Sequence, residues 1–175
     1  MRSVLIWLGR PLPILAAAFL LRLTAAWLLP LPDDFAQRTD SGLTALHVVS
    51  GEGYAHDFYG WRTDAPLQAY MPPLHVAWVT LSLVLPDPRL AHSAQQVVAG
   101  TLAVWLVYCL AGALGGPLTG GLAGWAMALY PTYVILTTVP ESVILLAACL
   151  AAFLLLAWRL REKPEAGRAI AAGLA

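Results

Sequence analysis

The sequence predicts an all-α protein, a polytopic bundle of membrane-crossing helices, and three observations predict it. Apolar residues make up 59% of the chain and charged residues 11%, roughly half the charged share of an ordinary soluble domain, so water is a poor solvent for this surface. The apolar residues gather in stretches at about 12–31, 72–86, 94–114, 118–139 and 142–158, and a helix needs about 20 such residues to cross about 30 Å of hydrocarbon. Basic residues bracket the set: Arg2 and Arg10 precede the first stretch, and Arg159, Arg161, Lys163 and Arg168 follow the last.

The first stretch is long, carries Arg22 and ends in Leu-Pro-Leu-Pro without a small-residue cleavage site. It therefore reads as a retained helix and not as a signal peptide. The flanking arginines put both ends of the bundle in the cytoplasm, which requires an even number of crossings. The stretch at 72–86 is the one to leave out. It opens on Pro72-Pro73, contains His75, stops at Pro86-Asp87-Pro88, and reaches only roughly 22 Å as a helix. It reads as a helix lying at, or dipping into, the outer interface. The prediction is thus four complete spans with a large outer loop at about 32–92. A second outer turn falls at 137–141, and Gly115-Gly116-Pro117 turns inside. The apolar run after Gly167-Arg168 reads as a fifth span cut off at residue 175, so residues 1–175 read as the N-terminal part of one membrane module.

Half of the charged residues lie in that outer loop: Asp33, Asp34, Arg38, Asp40, Glu52, Asp57, Arg62, Asp64, Asp87 and Arg89. Long connections without structure are uncommon in compact folds, so a loop of this length reads as a site. Within it, Leu43, Leu46 and Val49 recur at three-residue steps. They predict a short amphipathic juxtamembrane helix that Asp40 starts and Gly51 or Gly53 stops. Tyr54, Phe58, Tyr59, Trp61 and Tyr70 suit the headgroup level.

Several function classes fall away. The formal net charge is zero and no basic face is visible, which argues against nucleic acid. Cys109 and Cys149 lie in separate apolar runs without metal or redox spacing and read as small core residues. His47, His56, His75 and His92 lack metal-ligand spacing, so no metal site is assigned to them. No nucleophile triad, phosphate-cradling loop or dinucleotide fingerprint is present. Nine of the ten basic residues are arginine, which fits GC-rich bacterial coding and an inner (cytoplasmic) membrane.

Four features in order resemble the GT-C polytopic glycosyltransferases, the superfamily of protein O-mannosyltransferases and aminoarabinose transferases. They are Leu-Leu-Arg22-Leu late in the first helix, Asp40 followed by Gly51-Glu-Gly-Tyr54, the stretch Ala65 to Pro73-Leu-His75, and Ala128-Leu-Tyr-Pro131 leading to Val-Pro-Glu141-Ser. The resemblance implies transfer of a sugar from a polyprenyl-phosphate donor to a glycan, lipid or protein acceptor on the outer face, with inversion at the anomeric carbon. It implies catalytic roles for Asp40 and Glu141, and substrate contacts from Arg22, Arg62, Tyr54 and His75. A divalent metal, Mg or Mn, is compatible with two acids at one site but not required. The chain departs from the family at Thr44, where a tyrosine is common, at Ser41, where a second acid is common, and at Ala111-Gly-Ala-Leu-Gly, where arginines are usual.

Each candidate also has a plain structural reading. Aspartate is a favoured N-cap, so Asp40 is expected to cap its helix. Thr138-Val-Pro-Glu141 matches a capping box. Arg22 costs several kcal/mol in the bilayer unless it reaches a polar cavity or snorkels to the interface. Two other functions compete: a transporter or flippase fragment with Arg22 and the acids along its path, and a catalytically silent membrane scaffold.

Overall fold

The computed structural model describes residues 10–56, 67–68, 71–162 and 173. The described chain is helical apart from one short antiparallel pairing of Ala55–His56 with Leu67–Gln68. The helices are α1 (Pro11–Leu28), α2 (Asp40–Ser50), α3 (Pro73–Leu83), α4 (Pro88–Gly115), α5 (Pro117–Leu129), α6 (Pro131–Ile135) and α7 (Val143–Glu162), with 3₁₀ turns at Phe35–Arg38 and Leu136–Thr138. Five of them begin on proline. Proline's fixed φ suits the first helical turn, and its missing N–H would lack an intrahelical partner there anyway.

Among the described residues, three helices are long and apolar enough to cross a membrane: Pro11–Leu28, Pro88–Gly115 and Val143–Arg161. Their outward residues are large and apolar, among them Trp27 at 78% and Leu146 at 65% exposure, a surface that suits lipid and not water. The chain is accordingly a membrane protein. The remaining long apolar stretch, expected to run unbroken over 118–139, is broken. α5 has 13 residues, Tyr130 turns extended, and α6 and the 3₁₀ turn follow. Pro131 explains the break, because proline disfavours the α conformation of the residue before it and cannot donate to the preceding turn. α3, at 11 residues, is about 16 Å long and too short to span.

α4 is the axis of the bundle, packing against α1, α5 and α7. It folds back onto α5 through Gly116, at φ 85°. The two helices approach closely at Gly120, where a Cβ would lie 2.8 Å from the Tyr108 carbonyl oxygen. Ile14, Ala18, Val104 and Ala128 fill the core between α1, α4 and α5.

A second core, of Leu31, Phe35, Ala36, Ala45, Val76 and Val79, joins the first 3₁₀ turn to α2 and α3. One local expectation is corrected here. Thr39, not Asp40, caps α2, accepting from the Gly42 amide at 3.2 Å, and Asp40 is the first helical residue. The buried face of α2 is Ser41, Gly42, Thr44 and Ala45, whereas Val48 and Val49 stay exposed. Gly42 decides this, since a Cβ there would lie 2.1 Å from the Ala36 carbonyl oxygen. Small residues let the backbone dock where the leucine stripe could not.

Candidate functional site

The first helical residue of α2 and the loop before α7 face one cleft of about 250 Å³, lined by Arg38, Thr39, Asp40, Ser41, Met71, Pro72, Pro140, Glu141 and Ser142. An adjoining cavity of about 300 Å³ shares Arg38, Thr39, Pro140 and Glu141, and extends to Leu31, Phe35 and Thr138. Asp40 and Glu141, a hundred residues apart in sequence, thus line the same polar opening.

Asp40 is held there by its neighbours. Thr39 caps the helix, and the Thr44 hydroxyl donates to the Asp40 carbonyl oxygen at 2.9 Å. An acid in the first helical turn is also favoured by the helix dipole. Arg38 precedes it, its Nε donating to Asp34 Oδ1 at 2.8 Å. That bond holds the Asp34 carboxyl below its ordinary range. Ser41 reaches across the cleft to the Met71 sulfur at 3.4 Å.

Glu141 is placed differently. The expected capping box is absent: the Thr138 hydroxyl donates back to the Ile135 carbonyl oxygen, and α7 begins only at Val143. The Glu141 amide instead bonds the Val139 carbonyl oxygen at 2.9 Å in a tight turn. Beneath that turn lies a buried polar group. Gln96 Nε2 donates to the carbonyl oxygens of Val139 at 3.1 Å and Glu141 at 3.3 Å. His75 Nε2 faces the Pro140 carbonyl oxygen at 3.4 Å. His92 stands between Gln96 and Ser82 and stacks on Phe35 at 5.2 Å between ring centroids.

The other candidate residues lie elsewhere. His75 is 2% exposed and lies beneath the cleft, not in its wall, and burial holds its imidazole below the ordinary range. Tyr54 lines a separate apolar cavity with Val76 and Thr80, and its hydroxyl donates to the Met71 carbonyl oxygen. Burial pushes that phenol up. Arg22 is 0% exposed and does not snorkel. Its Nη1 donates to the Ala18 carbonyl oxygen at 3.1 Å, and its stem packs on Gly100 beside Thr137. Arg62, the aromatic residues Phe58, Tyr59, Trp61 and Tyr70, and all of the run after Arg168 but residue 173 lie outside the described residues. Among the described residues no three His, Cys, Asp or Glu converge as a metal cluster.

Sequence reasoning passed over Arg38, Ser82, His92 and Gln96. The available signal was polarity out of place: His92 and Gln96 are polar residues inside a long apolar helix, where such groups are rare and need a reason. No family model, curated protein or solved structure matches the chain.

Proposed function

We propose that this chain serves a membrane glycosyltransferase activity that moves a sugar from a polyprenyl-phosphate donor to an acceptor at the outer face of a bacterial inner membrane. The observation that carries this reading is the single cleft walled by Asp40 and Glu141, beside a bundle with a lipid-facing surface. A lipid-linked sugar cannot leave the bilayer, so the groups that act on it belong at headgroup level. In this reading the broken segment 117–138 completes a fourth crossing, both ends of the bundle are cytoplasmic, and the cleft faces outward.

Asp40 takes the proton of the acceptor hydroxyl as its oxygen attacks the anomeric carbon. The bond from that carbon to the phosphate oxygen breaks, and the lipid phosphate leaves with the electron pair. A cation must meet that charge. Arg38 lines the cleft and is the better candidate, because Arg22 is enclosed within the bundle. Glu141 is the second acid of the pocket. A magnesium or manganese ion, if bound, would be held by Asp40 and Glu141 and would supply positive charge against the leaving phosphate.

The test is turnover with a polyprenyl-phosphate sugar, using full-length protein at equal abundance. Because Thr39 supplies the cap, Asp40→Asn leaves α2 intact and should lower the rate on the order of a hundredfold or more. Glu141→Gln should lower it as well. Near wild-type turnover in Asp40→Asn sinks the mechanism. Single cysteines replacing Ala55 and Leu90 should both label from outside, and labelling from opposite sides breaks the topology.

A transporter is the second reading, favoured by the break at Tyr130-Pro131 and the enclosed Arg22, since broken helices and buried charges mark translocation paths. It predicts substrate flux without bond cleavage, and that flux should depend on Arg22.

A further inference from the structure

We propose that Gln96 and His75 are positioning residues that grip the backbone of Val139, Pro140 and Glu141 and thereby aim the Glu141 side chain into the cleft. The catalytic consequence rests on the transferase reading above, whereas the grip itself does not. Three successive carbonyls at 139, 140 and 141 turn toward the protein interior, and each meets a buried nitrogen. With those carbonyls engaged from beneath, Glu141 stays exposed in the wall of the cleft.

The hydrogen-bond roles follow from the inventory of donors. Two of the three contacts of Gln96 Nε2 go to carbonyl oxygens and the third, at 3.5 Å, to His92 Nε2, so the amide must present its NH₂ to the turn. The flipped amide would set oxygen against oxygen. Ser82 already donates its hydroxyl proton to the Val79 carbonyl oxygen, at 2.6 Å. The 3.3 Å contact with His92 Nδ1 therefore needs His92 to donate, which leaves its Nε2 lone pair toward Gln96. His75 Nε2 must likewise carry a proton to serve the Pro140 carbonyl. Its Nδ1 is then a bare acceptor, buried with no partner among the described residues. Both histidines are neutral in this arrangement.

The two grips come from different elements, Gln96 from the central helix α4 and His75 from the first turn of α3. They tie the turn before α7 to the outer-face core and to the bundle axis at once. Local sequence gives the turn one bond, from the Glu141 amide to the Val139 carbonyl oxygen, while Pro140 has no N–H and the Thr138 hydroxyl is directed backward.

Hydrogen exchange at the amides of Val139, Glu141 and Ser142, measured on the full chain in lipid nanodiscs, tests the grip. Gln96→Leu and His75→Leu should each speed exchange there about tenfold, as expected for loss of roughly one net hydrogen bond. Protection in the middle of α4 and α7 should not change. His75→Gln carries a side-chain amide to similar reach and should restore near wild-type exchange. In turnover assays the two leucine variants should lose kcat with little change in KM, because the acid is misplaced while the rest of the cleft remains. Unchanged exchange at 139–142 in both leucine variants overturns the proposal. Faster exchange in a protein whose wild type transfers no sugar upholds the grip and rejects the transferase reading. If Gln96→Leu does not fold, the comparison of His75→Leu with His75→Gln still decides.

Discussion

At the start of α2 the backbone is closed by its own neighbours, whereas the start of α7 is held from a distance. Thr39 caps Gly42 and Thr44 bonds Asp40, three and four residues apart in sequence. The turn carrying Glu141 depends on Gln96 and His75, 43 to 65 residues away. Both starts deliver an acid to one cleft. The difference teaches that Asp40 should stay in place through much local disturbance, while Glu141 should respond to changes anywhere in the α3–α4 scaffold.

The largest effect that sharpens this contrast is expected at Gly100. A Cβ there would lie 2.6 Å from Arg22 Nε and 3.2 Å from Thr137 Cγ2, so it presses on the 3₁₀ turn leading to Glu141. Gly100→Ala should cost about 1–3 kcal/mol, the usual price of overpacking, read as a lower thermal midpoint in detergent. Adding Arg22→Ala should return part of the loss, since contacting residues are not additive. Full additivity would mean that the notch is not what couples them.

A smaller effect is expected at the locally closed start. Thr39→Ala removes the cap and should cost about 1 kcal/mol, seen as faster amide exchange in the first turn of α2 alone. Equal loosening at residues 139–142 would break the comparison, because it would show that the two starts are not independently held.

The smallest effect is a pH dependence. His75 meets the Pro140 carbonyl and feels the Glu141 charge, and burial outweighs both in holding its pKa below the ordinary 6.5. As pH falls below that value the unfolded chain gains a proton that folded His75 still refuses. Stability from this site is therefore complete above about 6.5 and declines toward the lower folded pKa. Thermal midpoints followed from about pH 8 down to about pH 5 should show this slope, and His75→Gln should make it shallower. An unchanged slope in that variant would assign the dependence to another group.

Much of the helical layout was legible because it is written in local pattern. Apolar runs mark α1, α4 and α7, prolines mark helix starts, and the Gly51 stop appears with φ 83°. The shortness of α3 was also legible, from Pro72-Pro73 and Pro86-Asp87-Pro88. Counting crossings gives only an expectation of which side Asp40 and Glu141 share, and a side is not a cleft. Where local rules competed, the expectation failed: threonine and aspartate are both good caps, and only the fold shows Thr39 in that role.

The sequence by itself determined that this chain is helical, that its long helices suit lipid, and that half of its charged residues collect in one loop. Those properties follow from composition and from repeats of three to four residues, which a single strand of text displays. Only the tertiary structure decided which acids share a cleft, that Arg38 stands beside them while Arg22 is enclosed, and that Gln96 and His75 underlie the Glu141 turn. The physical reason is range. Hydrogen bonds and steric contacts act over a few ångströms, and residues so far apart in sequence come within that distance only after the helices have packed.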